Sequence, residues 1–183
     1  MYRCEWVKED EPLYITYHDQ EWGVPVYDDR LLFEMLSLEG AQAGLNWLTI
    51  LKKREGYKEV FANFEIDVVA TFDEQRMNEI VKDKRIVRHE GKIGSVVNNA
   101  KCIQAMQQEF GSFHVYVWSW VEGKQIINSW SNVKEIPTKT SLSEAFSKDL
   151  KKRGFQFVGI TTIYAFMQAV GLINDHVLGC HYK

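Results

Sequence analysis

An all-helical fold is what this sequence predicts, on three observations. Only three prolines, Pro12, Pro25 and Pro137, interrupt 183 residues. Long segments repeat apolar residues at helical steps with few β-branched alternations, which favours helices over strands. Polar residues suited to helix N-termini stand in front of several of those segments. With 45% hydrophobic residues the chain can bury one substantial core, so residues 1–183 are read as a single globular domain.

In chain order, Asp28 and Asp29 precede Leu31, Leu32, Met35 and Leu36, and Asp73 precedes Met77, Ile80 and Val81. Each is placed to cap a helix by accepting backbone N–H groups. From Lys92 to Phe110, Ile93, Val96, Val97, Ala100, Ile103 and Met106 recur at steps of three and four, which puts them on one core-facing stripe. Glu122 to Thr140 collects Gly123, Asn128, Ser129, Ser131, Asn132 and Pro137 without a sustained period, the mark of a long loop inside the domain. Ser141 or Ser143 then caps a helix carrying Ala145, Phe146 and Leu150. Lys151-Lys152-Arg153 closes that helix, Gly154 and Gly159 bound a turn, and Ile160 to Val170 resumes a helical pattern. Residues 151–171 therefore read as a helical hairpin. No internal repeat or low-complexity segment interrupts this array.

Composition narrows the class. No apolar run approaches the roughly eighteen residues of a membrane span, and Met1-Tyr2-Arg3-Cys4-Glu5-Trp6 lacks the apolar core of a signal peptide. A cytoplasmic protein is expected. Three cysteines, Cys4, Cys102 and Cys180, are too few and too odd for a disulfide framework, leaving metal binding or burial. The net charge of -3 gives no global sign of a nucleic-acid partner. Any such surface must be local, at Lys52-Lys53-Arg54, at the run from Lys82 to Lys92 with Lys84, Arg85, Arg88 and His89, or at Lys151-Lys152-Arg153. Short basic clusters are more often solvated helix ends.

His176 and Cys180 are four apart, a spacing that on a helical turn sets an imidazole and a thiolate side by side. Cys4 and His18 could complete a tetrahedral zinc site that ties the two chain ends, with His181 as a spare ligand. Four protein ligands would leave no position for an activating water, so such a metal is structural. From spacing alone the plainer reading, buried cysteines and ordinary polar histidines, stays ahead.

Trp6, Tyr14, Tyr17, Trp22 and Trp47 crowd the first fifty residues, several of them among polar and turn residues. Core and aromatic-lined site are equally open for them. Glu39 closes an apolar helix just before the Gly40 to Gly44 segment; a lone glutamate there is usually exposed. At the hairpin, the start of the second helix can offer N–H groups and its dipole to a phosphate, with hydroxyls from Thr161 and Thr162.

Several blocks together resemble one family. Arg3-Cys4-Glu5-Trp6, Pro12-Leu13-Tyr14, Tyr17 to Pro25, Leu38 to Trp47, Leu51 to Arg54, Ile86 to His89 with Gly91-Lys92, Lys151 to Gly159 and Asn174-Asp175-His176 make the chain similar, over almost its full length, to the bacterial 3-methyladenine DNA glycosylase I family of the helix-hairpin-helix glycosylase superfamily. The resemblance implies base excision repair of alkylated duplex DNA. The N-glycosidic bond of 3-methyladenine is hydrolysed, the free base leaves and an abasic site remains. It implies structural zinc at Cys4, His18, His176 and Cys180, and a pocket for a flipped base. In that pocket Glu39 and Tyr17 form the catalytic pair that recognises the base edge, Trp47 stacks, and Tyr14, Trp6 and Trp22 line the walls. Gln42 and Leu45 are expected to fill the gap in the duplex, as wedges do elsewhere. Lys152, Arg153, Gly154, Gly159 and Thr161 are expected to hold the DNA backbone. Asp175 stands where other branches of the superfamily carry a catalytic aspartate; this chain resembles a branch that does without it. A monomer with no membrane partner is the default.

Overall fold

The computed structural model describes residues 2–183. Helices α1 (Pro12–Gln20), α2 (Asp29–Gln42), α3 (Trp47–Val60), α4 (Ile66–Val69), α5 (Glu74–Ile80), α6 (Glu90–Phe110), α7 (Phe113–Ser119), α8 (Ser141–Lys152) and α9 (Ile160–Ala169) follow one another, so the chain is mostly helical. Among the described residues, no helix is long and apolar enough to cross a membrane.

The caps are local chemistry. Asp28 accepts from Leu31 N at 2.8 Å to start α2, and Asp73 accepts from Arg76 N at 2.8 Å to start α5. Asp29 does something else: it accepts from the Phe113 and His114 amides at 2.9 and 2.7 Å, fastening α2 to the start of α7. Neither Ser141 nor Ser143 is the cap of α8. Thr140 holds that place, with Ser143 returning a hydrogen bond to the Thr140 amide in a reciprocal capping box. In a polar cluster this dense any hydroxyl can cap, and the extended backbone at Thr140 (φ -135°, ψ 168°) decides which one does.

Helix α2 runs through the core. Leu32, Phe33 and Leu38 are fully buried, each contributing roughly 1.5–3 kcal/mol of apolar burial, and α2 packs against α9, α3 and α6. Its burial on nearly all sides brings its last turn, with Glu39 and Gln42, into the interior where α9 passes. The stripe expected on α6 is buried as the periodicity requires.

The segment from Glu122 to Thr140 is mostly loop. It also holds strand β1 (Ile126–Ile127), which pairs in parallel with β2 (Ile173–Asn174) through Ile126↔Ile173 and Ile127↔Asn174, and a single 3-10 turn over Val133–Glu135. That short pairing lays the loop across α9 and the C-terminal segment. The spacing of His176 and Cys180 works through a turn rather than a helix, with the Cys180 amide donating to Val177 O at 3.0 Å.

Candidate binding cleft and metal centre

A cleft of about 370 Å³ opens among α1, the end of α2, α9 and the loop. One side is the aromatic set expected from the sequence: Trp6, Tyr14, Tyr17, Trp22 and Trp47, with Glu39 and Gln42. The rings brace one another, Trp6 standing 5.1 Å from Trp22 and 5.8 Å from Tyr14, and Tyr17 5.2 Å from Trp47. The opposite wall, Val133, Ile136, Pro137 and Thr138, comes from the loop, and the floor is Thr161, Tyr164, Ala165 and Gln168 of α9. Sequence reading missed the wall, and of the floor it named only Thr161, for the DNA backbone. The wall has no period to read, and Tyr164 lies on an apolar helix like any core residue.

Glu39 is not the exposed glutamate its type suggests. It is 4% exposed, and its Oε2 is buried without a hydrogen-bond partner. Burial lifts its carboxyl to about 8, because the charged form has lost its water. Trp47 Nε1 is a second buried polar atom without a partner on the same cleft. Burial, and then the nearby Glu39 charge, also hold the Tyr17 hydroxyl well above its ordinary range. Buried polar atoms are nearly always paired. An acceptor and a donor left unpaired among edge-to-face and tilted rings make a site for a flat, polar-edged ligand, and the carboxylate favours a cation.

Asp175, 0% exposed, lies beneath the floor. Oδ1 accepts from Asn128 Nδ2 and Trp130 Nε1, each at 2.7 Å, and Oδ2 accepts from the Tyr164 hydroxyl at 2.6 Å and Gln168 Nε2 at 2.8 Å. Four donors use the acceptor capacity of a carboxylate. Asp175 joins the loop wall to α9 and has no free lone pair to offer a water.

Leu45, 41% exposed, sits beside the cleft on a smaller cavity of about 220 Å³ shared with Gln42, Gly44 and Thr161. The hairpin is present as α8, a turn and α9. Gly154 takes the left-handed conformation (φ +89°) that ends α8. Gly159 caps α9 without a side-chain hydrogen bond, which leaves first-turn N–H groups to face an anion. Lys151 and Lys152 are exposed there. Arg153 is already engaged: Nε meets Asp149 and Nη1 meets Glu109, both at 2.7 Å, and the guanidinium lies over the Phe110 and Tyr116 rings.

In the other two basic runs part of the charge is already engaged, while Lys82, Lys84 and Arg88 are exposed. Arg54 is held between Glu21 and Glu34 at 2.6 Å each, Lys52 meets Glu11 and Lys53 meets Lys84 O. Arg85 pairs with Asp83 and Glu59, and Lys92 is buried. A sequence records their charge but not their partners.

Cys4, His18, His176 and Cys180 come together from both chain ends, all buried, with their donor atoms within 4.8 Å of one another. The Sγ–N separations are 3.3 to 3.6 Å. A tetrahedral zinc with Zn–S of about 2.3 Å and Zn–N of about 2.0 Å needs edges near 3.6 Å. The remaining ring nitrogens are spoken for: His18 Nδ1 meets Asp19 at 2.7 Å and His176 Nε2 meets Trp22 O at 2.9 Å. Those acceptors fix neutral tautomers that turn a lone pair inward. Burial keeps His176 neutral, pushing it down to about 4. The donor set fits a structural metal. His181 is exposed and outside the group.

The sequence pattern of the methyladenine glycosylase family matches residues 6–183. DNA-3-methyladenine glycosylase 1 of Escherichia coli K12 is 52% identical over 180 residues, covering 98% of this chain and 96% of the relative. The solved structure of 3-methyladenine DNA glycosylase I from Staphylococcus aureus, described as the basis of its 3-methyladenine recognition, superposes with a TM-score of 0.96 at 38% identity, over 99% of this chain and 96% of that one. A single-site variant of 3-methyladenine DNA glycosylase I, solved in complex with 3-methyladenine, superposes with a TM-score of 0.97 at 38% identity, over 100% and 98%.

Proposed function

The chain belongs to the methyladenine glycosylase family, and from that premise we propose that it excises 3-methyladenine from alkylated duplex DNA by hydrolysing the N-glycosidic bond. The observation that carries this reading is the buried Glu39 carboxyl, with Oε2 unpartnered, on a cleft lined by aromatic rings. Adenine methylated at N3 and still joined to its sugar is a cation, and aromatic faces with a carboxylate prefer it to a neutral base. A base inside a duplex must first be extruded, and stacking worth about 1–3 kcal/mol per base helps offset that cost. Trp47 and Tyr17 flank the space where the ring would lie, with Tyr14, Trp6 and Trp22 as outer walls.

When the bond breaks, its electron pair goes to the methylated base, which departs neutral. Positive charge moves to the sugar, and a water adds to the anomeric carbon and loses a proton. The carboxylate of Glu39 would stabilise that charge as it moves, a preorganised electrostatic role. The saturated hydrogen bonding of Asp175 supports leaving it out of the chemistry.

The rest of the reading assigns the surface. Exposed Leu45 with Gln42 fills the gap left by the extruded nucleotide. Lys152, Gly154, Gly159 and Thr161 grip the backbone in helix-hairpin-helix manner, while Arg153 is held by its own ion pairs. Zinc at Cys4, His18, His176 and Cys180 ties the chain ends, and its chemistry is structural. Residues 1–183 then act as one cytoplasmic, monomeric glycosylase domain.

The test is incubation of the purified protein with methylated duplex DNA, with chromatography of the released bases and metal analysis of the protein. Selective release of 3-methyladenine is expected, slowed on the order of 10²–10³-fold in Glu39→Gln, with about one zinc per chain. Tight binding without release would instead mark a damage-recognition module and overturn the reading.

A further inference from the structure

Lys92 is a buried lysine with a use that its own helix does not explain. It is 9% exposed and sits in the first turn of α6. A cation at a helix N-terminus opposes the helix dipole, and burying an ammonium is costly unless it is well paired. Its Nζ donates to Ala41 O at 2.8 Å and to Ala43 O at 2.7 Å. Those are carbonyls at the C-terminus of α2, where the helix leaves acceptors unpaired and its dipole favours a cation.

Between them the Gln42 carbonyl accepts from the Leu45 amide at 2.6 Å, and Gly44 turns the chain at φ +78°. The conformation of residues 41–45, which carry both Gln42 and Leu45, is therefore fixed from α6. The same helix also holds the hairpin. Asn99 exchanges hydrogen bonds with Gln156, accepting from its amide at 2.9 Å and donating to its carbonyl at 3.0 Å, and Asn98 donates to Gly154 O at 2.8 Å. Lys92 and Asn99 are seven residues apart, two turns along one face and about 10 Å along the axis.

We infer that Lys92 is a positioning residue for duplex engagement: through the Ala41 and Ala43 carbonyls it sets the 41–45 turn in fixed register with the hairpin that α6 holds. Neither element has to be ordered when DNA arrives. This rests on the proposed wedge and hairpin roles; of the 41–45 turn only Gln42 lines the cleft, so a lysine acting through the turn affects duplex engagement far more than the base pocket.

The experiment compares Lys92→Met, which keeps the stem and removes both hydrogen bonds, with the unmodified protein in two assays. Release of 3-methyladenine from methylated duplex should fall on the order of 10- to 100-fold, as expected of a misplaced contact, while the affinity for free 3-methyladenine, read by tryptophan fluorescence, stays within about twofold. Gly44→Ala strains the same turn from a position with open space around it and should give the same duplex-selective loss; it decides alone if Lys92→Met does not fold. Undiminished duplex activity, or a parallel loss of free-base binding, overturns the inference. Failure of the unmodified protein to release base would sink the glycosylase reading separately, and duplex affinity of the same variants would still test the positioning role of Lys92.

Discussion

Helix α2 carries two buried glutamates five residues apart, and they live in opposite electrostatic settings. Glu34 is 0% exposed and its Oε1 meets Arg54 Nε at 2.6 Å, with Glu21 on the other side of the same guanidinium. Glu39 is 4% exposed and faces aromatic rings, and burial alone lifts its carboxyl to about 8. Both have an Oε2 without a partner, so an unpaired oxygen does not distinguish them. What differs is the cation. Glu34 has one supplied by the fold, whereas Glu39 lies on a cleft open to an incoming one. One buried carboxylate therefore reads as architecture and the other as a site.

The largest effect should come from taking the fold's cation away. Arg54→Met leaves the charge of Glu34 buried without its partner, a change that costs about 3–5 kcal/mol in comparable settings. Urea denaturation at neutral pH measures it. Replacing Glu34 by Leu in the same chain should recover most of the loss, because an apolar pair no longer carries an uncompensated charge. If Arg54→Met alone were neutral, the contrast between the two glutamates would collapse.

A smaller effect separates them by pH. Glu39 binds its proton more tightly folded, near 8, than at its ordinary value of 4.5. Its contribution to stability is thus fully present below about pH 4.5 and is lost as pH rises through about 8. Glu39→Gln has no such loss and should be the more stable protein above pH 8, by a few kcal/mol at about 1.4 kcal/mol per pH unit. Denaturation midpoints from pH 5 to 9 would show the two curves diverging. The same ionisation should make kcat/KM of the unmodified protein rise with pH up to about 8, since the free enzyme must present a carboxylate to a cationic base. Parallel stability curves would mean that the Glu39 carboxyl keeps its water.

These contrasts explain what a sequence reveals. The stripe of α6 and the caps at Asp28 and Asp73 are legible because each depends on residues within one or two turns. The aromatic set and the four metal donors are visible as residue types. Their convergence is not, because it joins residues 4 and 180, and the family resemblance supplied it. Lys92 and Arg54 look like surface charge, and only the carbonyls and carboxylates brought to them by distant segments reveal otherwise. The wall at Val133 to Thr138 and the Asp175 junction draw on several segments at once. No local pattern encodes such a meeting.

The smallest expected effect concerns the hairpin, where the same question of engaged against open charge recurs between neighbours. Arg153 is paired with Asp149 and Glu109, while Lys152 is exposed beside it. A cation that neutralises a phosphate releases counterions, so its removal flattens the dependence of log K on log salt by about one unit. Lys152→Ala should do this in duplex binding measured across salt concentrations, weakening affinity evenly over sequences. Arg153→Ala should leave the slope unchanged and lower stability instead, because its charge is already matched and its stem packs on Phe110 and Tyr116. A slope that changed for Arg153 and not for Lys152 would mean that the guanidinium leaves its carboxylates when DNA binds, and a bound charge would then have become an open one.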